Sequence, residues 1–537
     1  MVRRGIVAIL LIMSLAACDN GVSAPRSRTF SGPAYTLKIL ASAELDDLAP
    51  VLADAAKATG VTVAITPTTS LAGSQTVASG RADGKFDATW LSTNRYLEIT
   101  PNALVKLDSS AVVMSSPVIL GLRASVVHRL GWDAGPVSWA DIADAATHRF
   151  TFGMADPRAS NSGLSALVSV ATAVAGRGAA LESADVLSAM PALRGFFSGQ
   201  SVKAASSQEL FDDYVRAQAG TAGNPSVDGL VDYESELLSL NASGKLREPL
   251  TLIYPSDGAV TADYTLSSLA SAPPAAKAAY SRLVGYLDTP DAQRKIMQST
   301  SRRPGVPGVA PNATLGRHHL FELPFPGTIT IVDDLISAYY GTLRRPARTA
   351  YVLDTSESMT GDRLAGLKAA LTQLTGSGSA DPGVTFQTRE QVTLEPFSTG
   401  PRPPTTFDVP ATGPQPVLTR IAAFVADLTA GGGTAIYDAL VLAYQTVEQQ
   451  ARTDPNRITT IVLLTDGENT VGRDAAAFAR FYRTLPPAVT SIPVFPIRFG
   501  NGNSAEMTQL AQLTGGRTFD GRNLPLTTVF SLIRGSQ

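Results

Sequence analysis

From residue 35 onward, short apolar runs alternate with longer stretches of helical periodicity. Residues 35–41, 61–67 and 86–90 have the length and β-branched content of strands. Between them, 43–59 and 70–80 repeat apolar positions at helical spacing. Glu44, Asp46 and Asp47 fall in the first turns of the former, where the helix dipole favours acids. This βαβαβ order predicts a parallel sheet. Residues 112–122 predict a strand leading into a second unit, and 150–155 another. A polar turn over 156–163 then precedes a long helix. Residues 231–234 and 250–255 are expected as return crossings between two lobes, and 275–298 as a helical end.

The alternation resumes after an irregular stretch. Residues 304–326 carry five prolines and predict a linker. Residues 330–343 place Ile331, Leu335, Ala338 and Tyr339 on one helical face, expected to pack between two large domains. Helices are predicted over 364–374, 417–428, 435–451, 505–513 and 526–533. Residues 384–397 are strand-rich, and the proline-rich 398–416 should be a surface loop. Residues 458–464 and 492–499 are apolar without alternation, as strands of a parallel sheet covered on both faces require. The expected fold class is α/β throughout.

A chain of 537 residues exceeds what one core organises. The predicted boundaries are 1–18, 19–34, 35–310, 311–346 and 347–537. A net charge of −2 leaves no basic face for nucleic acid. The single cysteine, Cys18, excludes an intramolecular disulfide. Arg3 and Arg4 precede an apolar stretch over 5–15, which has the length of a secretory signal and is too short to span a bilayer. It closes on Leu15-Ala16-Ala17-Cys18, which resembles a bacterial lipoprotein signal. That resemblance implies lipid on the Cys18 thiol, cleavage before it, and anchoring to the extracytoplasmic face of the cell membrane. Residues 20–33, rich in Gly, Ser and Pro, would be a flexible tether.

The candidate chemistry sits at strand ends. The apolar run 349–353 ends at Asp354, and Ser356 and Ser358 follow at alternate positions. Gly431-Gly432-Gly433-Thr434 opens a helix with another hydroxyl, and the run 460–465 ends at a second acid, Asp466. Ligands of doubly wound sheets bind at such carboxyl ends. Oxygen-only donors suit a hard cation such as Mg²⁺ or Mn²⁺. An EF-hand is excluded, because Met359 and Ala365 stand where its loop needs Gly and Glu.

With these residues in place, 347–537 resembles a von Willebrand factor A domain with a metal-ion-dependent adhesion site. The resemblance implies that Asp354, Ser356, Ser358, Thr434 and Asp466 coordinate the metal and that Asp438 supports the set. It also implies that a carboxylate of a partner protein completes the coordination. Glu357 stands where the family often has Gly.

Residues 35–310 resemble an extracellular solute-binding protein of two lobes, partly through Trp139-Ala140-Asp141-Ile142. The resemblance implies a small polar solute held between the lobes. Ser42, Ser70, Ser160, Asn161 and Tyr233 stand at strand-to-helix junctions and are candidates to line that cleft. Ser and Asn are also the commonest helix caps, which is the plainer role for each. His318 and His319 are expected on a surface. No nucleophile elbow, phosphate loop, zinc-protease or Cys-x-x-Cys motif is present, so no enzyme is expected. The expected function is that of a membrane-anchored binding protein. The alternative is a substrate-binding lipoprotein of an ABC-type uptake system, with the A domain as its docking module.

Overall fold

The computed structural model describes residues 30–218, 227–316, 320–376, 385–499, 504–522 and 526–535. Cys18, His318 and His319 lie outside these residues.

The first sheet contains β1 (Tyr35–Ser42), β2 (Val61–Thr68), β3 (Ala88–Trp90) and β4 (Leu107–Val112). The second contains β5 (Met114–Arg123), β6 (Phe152–Ala155), β7 (Gln200–Ala204), β8 (Gly229–Tyr233), β9 (Leu250–Ile253) and β10 (Thr261–Ala262). β11 (Thr265–Leu269) returns to the first sheet, and β12 (Arg303–Pro304) pairs with β5 in the second. The orders are β2-β1-β3-β11-β4 and β10-β5-β8-β6-β7, with β9 also on β5. β1 pairs in parallel with β2 and β3, as the βαβαβ order predicts, whereas β11 joins antiparallel.

The lobe crossings differ from expectation. The chain passes between the sheets at Val113, at Asp263–Tyr264 and at Ser301–Arg302. The two stretches expected as crossings, 231–234 and 250–255, instead hold the second-lobe strands β8 and β9. β8 lies between β5 and β6 and is buried along its length, so 231–233 belong to an inner strand of the second lobe. Tyr264 and Ser301 hold φ values of 31° and 55°, a region costly for residues with a Cβ. The strain sits where the chain changes lobe.

The helix predicted over 43–59 is a short 3₁₀ turn, Ala43–Leu48, followed by an α-helix, Ala49–Thr59. Pro50 explains the break, because it tolerates only the first turn of a helix. The helix Ile329–Ala338 packs into the solute-lobe core through Ile331, Val332, Leu335 and Ile336. It does not stand midway between two domains.

The third sheet contains β13 (Ala347–Asp354), β14 (Gln391–Phe397), β15 (Thr405–Asp408), β16 (Ile458–Thr465), β17 (Val494–Arg498) and β18 (Phe519–Asp520), in the order β15-β14-β13-β16-β17-β18. All pairs are parallel except β14 with β15. β15 lies inside the expected proline-rich loop. Pro404 and Pro410 bracket it, and four residues on a sheet edge satisfy the restriction on proline in strands. Side chains of β13 and β16 alternate between two cores. Tyr351, Leu353, Val462 and Leu464 face one, and Ala350, Val352, Ile461 and Leu463 the other. Each fully buried Leu or Val contributes about 1.5–3 kcal/mol. That burial anchors the strand ends where Asp354 and Asp466 emerge.

Candidate functional sites

At the carboxyl ends of β13 and β16, the two acids predicted from sequence come together. Asp354 is fully buried and Asp466 nearly so. Asp354 Oδ1 accepts from the Ser356 N–H at 2.8 Å, and Oδ2 accepts from Thr465 Oγ1 at 2.6 Å. Ser356 Oγ lies 3.0 Å from Ser358 Oγ, and Ser358 donates to Asp466 Oδ1 at 2.8 Å. One continuous chain of hydrogen bonds therefore links Asp354, Ser356, Ser358 and Asp466. Burial raises the pKa of Asp354, and the charge of Asp466 adds to the rise.

The Gly431–Thr434 loop docks on this turn through its backbone. The N–H of Gly431 bonds the carbonyl of Thr355 at 2.9 Å, and Glu357 N–H bonds that of Gly432 at 3.0 Å. Thr434 is buried, and its N–H is held by Thr470 Oγ1 at 2.9 Å. Glu357 points outward and is exposed.

Two arginines were not legible in the sequence. Arg363, in the helix Asp362–Leu374, pairs with Asp466 Oδ2 and donates to the Ser358 carbonyl at 3.2 Å. Arg473 holds both oxygens of Asp438, through its guanidinium and its backbone N–H. A Cβ at Gly472 would fall 1.9 Å from Asp438 Oδ2, and φ there is 77°, so glycine is required beside this pair. Nothing beyond the Asp-Ser-Ser spacing marked either arginine, since both reach the acids only through the fold.

Between the solute lobes, three candidates meet. Asn161 begins the helix Asn161–Ala175. Its Oδ1 accepts from the Ser70 N–H at 2.6 Å, and its Nδ2 donates to Ser42 Oγ at 3.2 Å. Ser42 Oγ also accepts from Ser92 N at 2.9 Å. Ser160 pairs with Ser162 at 3.1 Å, while Tyr233 sits behind them, its hydroxyl 3.3 Å from Ser165 Oγ. Ser42 and Ser160 occupy helix N-cap positions, yet neither side chain makes a capping bond. The Ser42 hydroxyl instead meets Asn161 across the lobes, and that of Ser160 pairs with Ser162.

Behind this junction lies a group of acids around one guanidinium. Arg302 is fully buried. It bonds both oxygens of Asp47 at 2.7 Å and the Glu44 carbonyl at 2.9 Å, and it lies 4.6 Å over the ring of Tyr264. Glu236 is within 3.3 Å. Burial pushes Glu236 up to about 8 and Asp232 up to about 6, and raises Glu44 and Asp47. Glu44 stands 3.4 Å from Asn161 Nδ2, so its acid group fronts the cleft.

Residues 350–530 match the family model of the von Willebrand factor type A domain, and residues 37–299 that of the bacterial extracellular solute-binding protein. The chain joins a solute-binding-protein-like region to an A domain. A stretch of 152 residues is 30% identical to inter-alpha-trypsin inhibitor heavy chain H4 of Homo sapiens, covering 27% of this chain and 15% of that protein. The Sus scrofa counterpart is 35% identical over 130 residues, covering 24% and 13%. The matched stretch is thus a small part of either relative's length.

Among solved structures, the chain is similar to the periplasmic binding protein AfuA of Actinobacillus pleuropneumoniae. The identity is 14%, the match covers 57% of this chain and 98% of that one, and the TM-score is 0.44. Iron-bound HitA of Pseudomonas aeruginosa gives 15% identity, 57% and 98% coverage, and a TM-score of 0.42. A von Willebrand factor type A structure from Catenulispora acidiphila gives 18%, 36% and 42%, and 0.28. Among the described residues, no helix is long and apolar enough to cross a membrane.

Proposed function

We propose that this chain is an extracytoplasmic binding protein, held at the cell membrane by lipid on Cys18, whose A domain captures a protein partner through a carboxylate. The observation that carries this reading is the convergence of Asp354, Ser356, Ser358 and Asp466 at two neighbouring strand ends, linked by hydrogen bonds of 2.8–3.0 Å. The donor set suits Mg²⁺ or Mn²⁺, being all oxygen with only two carboxylates. Asp354 and Asp466 would supply charge, and Ser356, Ser358 and Thr434 neutral oxygens. Bound there, the cation supplies an electrophilic centre that two acids leave attractive to a third carboxylate. Arg363 must release Asp466 for the full set to engage. On this reading the chain binds and does not catalyse.

The solute-binding region supports a second binding role. The hydroxyl of Ser42, the N–H of Ser70 and the amide of Asn161 furnish polar contacts between lobes. Glu44, 3.4 Å from Asn161 Nδ2, would repel an oxyanion, so a neutral or cationic polar solute fits better. Capture would then serve uptake, with the A domain docking to its partner.

The test is a pull-down from detergent-solubilised membranes. A partner retained with Mg²⁺ and released by chelator supports the proposal. Equal recovery with chelator overturns the metal-bridged capture. Cys18→Ser should shift the protein out of the membrane fraction, and unchanged partitioning overturns the anchor.

A further inference from the structure

A cleft of about 500 Å³ lies at the junction of the two regions. Val202 of β7 and Arg216 of the helix Ser207–Gln218 form one wall. Ile458, Thr459 and Pro493 form part of the other. These stand at the amino ends of β16 and β17, so the cleft is at the opposite end of the strands from Asp354 and Asp466. Its volume falls within the range of small-molecule sites, about 300–1,000 Å³.

Five guanidiniums line it: Arg216, Arg345, Arg452, Arg457 and Arg517. Four have a carboxylate each, namely Asp213, Glu448, Asp454 and Glu209 in the order Arg216, Arg452, Arg457, Arg517. Arg345 differs. Its bonds are to the carbonyls of Asn456, Pro455 and Arg457 at 3.3–3.5 Å, and among the described residues it makes no ion pair. Burial lowers its pKa, and Asp454 offsets this only in part. Arg517 adds a buried Nη2 with no hydrogen-bond partner. Val489, Ile492 and Phe495 supply an apolar floor.

We propose that this cleft binds a small organic monoanion, with its acid group on Arg345 and its apolar body on Val489, Ile492 and Phe495. One uncompensated guanidinium calls for one negative charge. Charge-assisted bonds to guanidinium are also stronger than the long carbonyl contacts that Arg345 now makes. A ligand seated here touches both regions and would fix one against the other. The site is independent of the metal and of the interlobe solute.

The test uses the full chain, with octanoate as probe and octanamide as its neutral counterpart, followed by calorimetry and thermal unfolding. One saturable octanoate site that raises the unfolding temperature is expected, with no response to octanamide. Arg345→Ala should weaken octanoate by about tenfold or more, and Arg345→Lys should retain part of the affinity. Ala451→Trp, which puts a large ring into the cleft and leaves every arginine of the chain in place, should also abolish binding. It decides the matter if Arg345→Ala fails to fold. No octanoate site, equal binding of octanamide, or undiminished affinity in Ala451→Trp overturns the proposal.

Discussion

Asn161, the first residue of a second-lobe helix, accepts a hydrogen bond at 2.6 Å from the backbone N–H of Ser70, at the start of a first-lobe helix. The same amide reaches Ser42 and Glu44. One side chain therefore closes the lobes upon each other and satisfies a helix N–H that a solute would otherwise bond. Asn161→Ala should loosen this closure. Hydrogen exchange measured by mass spectrometry should quicken at the Ser70 amide by about fivefold or more, the worth of about 1 kcal/mol for one hydrogen bond. Unchanged exchange there would show that the contact does not hold the lobes.

Arg302 bonds the carboxylate of Asp47 and the carbonyl of Glu44 and lies 3.3 Å from Glu236. Removing one partner of a buried ion pair leaves the others uncompensated, typically at about 3–5 kcal/mol. Arg302→Met should destabilise the solute-binding region on that scale, read by urea denaturation of the full chain. A loss below about 1 kcal/mol would mean that the acids are neutral whatever Arg302 does.

Glu395 sits fully buried in β14 with neither carboxylate oxygen hydrogen-bonded, and burial pushes its pKa up to about 8. Its folded-state pKa is thus above its unfolded value, so the native state binds the extra proton. Stability on this account is present below about pH 4.5 and is lost as pH rises through about 8, by at most about 5 kcal/mol. Glu395→Gln removes the titration. Urea midpoints for the A domain should match wild type near pH 5 and exceed it near pH 8.5. A gap that does not change with pH contradicts the assignment.

Asp354 and Asp466 were legible as acids at strand ends because each follows an apolar run that reads as a buried strand: 349–353 before Asp354, 460–465 before Asp466. Ser42, Ser70 and Asn161 were legible for a similar reason, since helix starts after strands face the cleft between lobes. Capping was the competing explanation, and it fails at Ser42 and Ser160, whose side chains make no capping bond. Arg363 and Arg473 were not legible, because an arginine's partner is set by tertiary approach and many arginines stand along this chain. The lobe crossings at Tyr264 and Ser301 were hidden too, since positive φ at a residue other than glycine leaves no mark in composition. β15 was masked by its flanking prolines.

The central claim is that Asp354, Ser356, Ser358, Thr434 and Asp466 form one metal site, and titration calorimetry with Mn²⁺ on the full chain tests it most directly. Wild type should bind one ion. Arg363→Ala, which frees Asp466 from its ion pair, should bind at least as tightly, while Asp354→Ala should show no binding. Circular dichroism should show all three folded, because Val352, Leu353, Val462 and Leu463 anchor the strands independently. Equal Mn²⁺ affinity in wild type and Asp354→Ala would contradict the account.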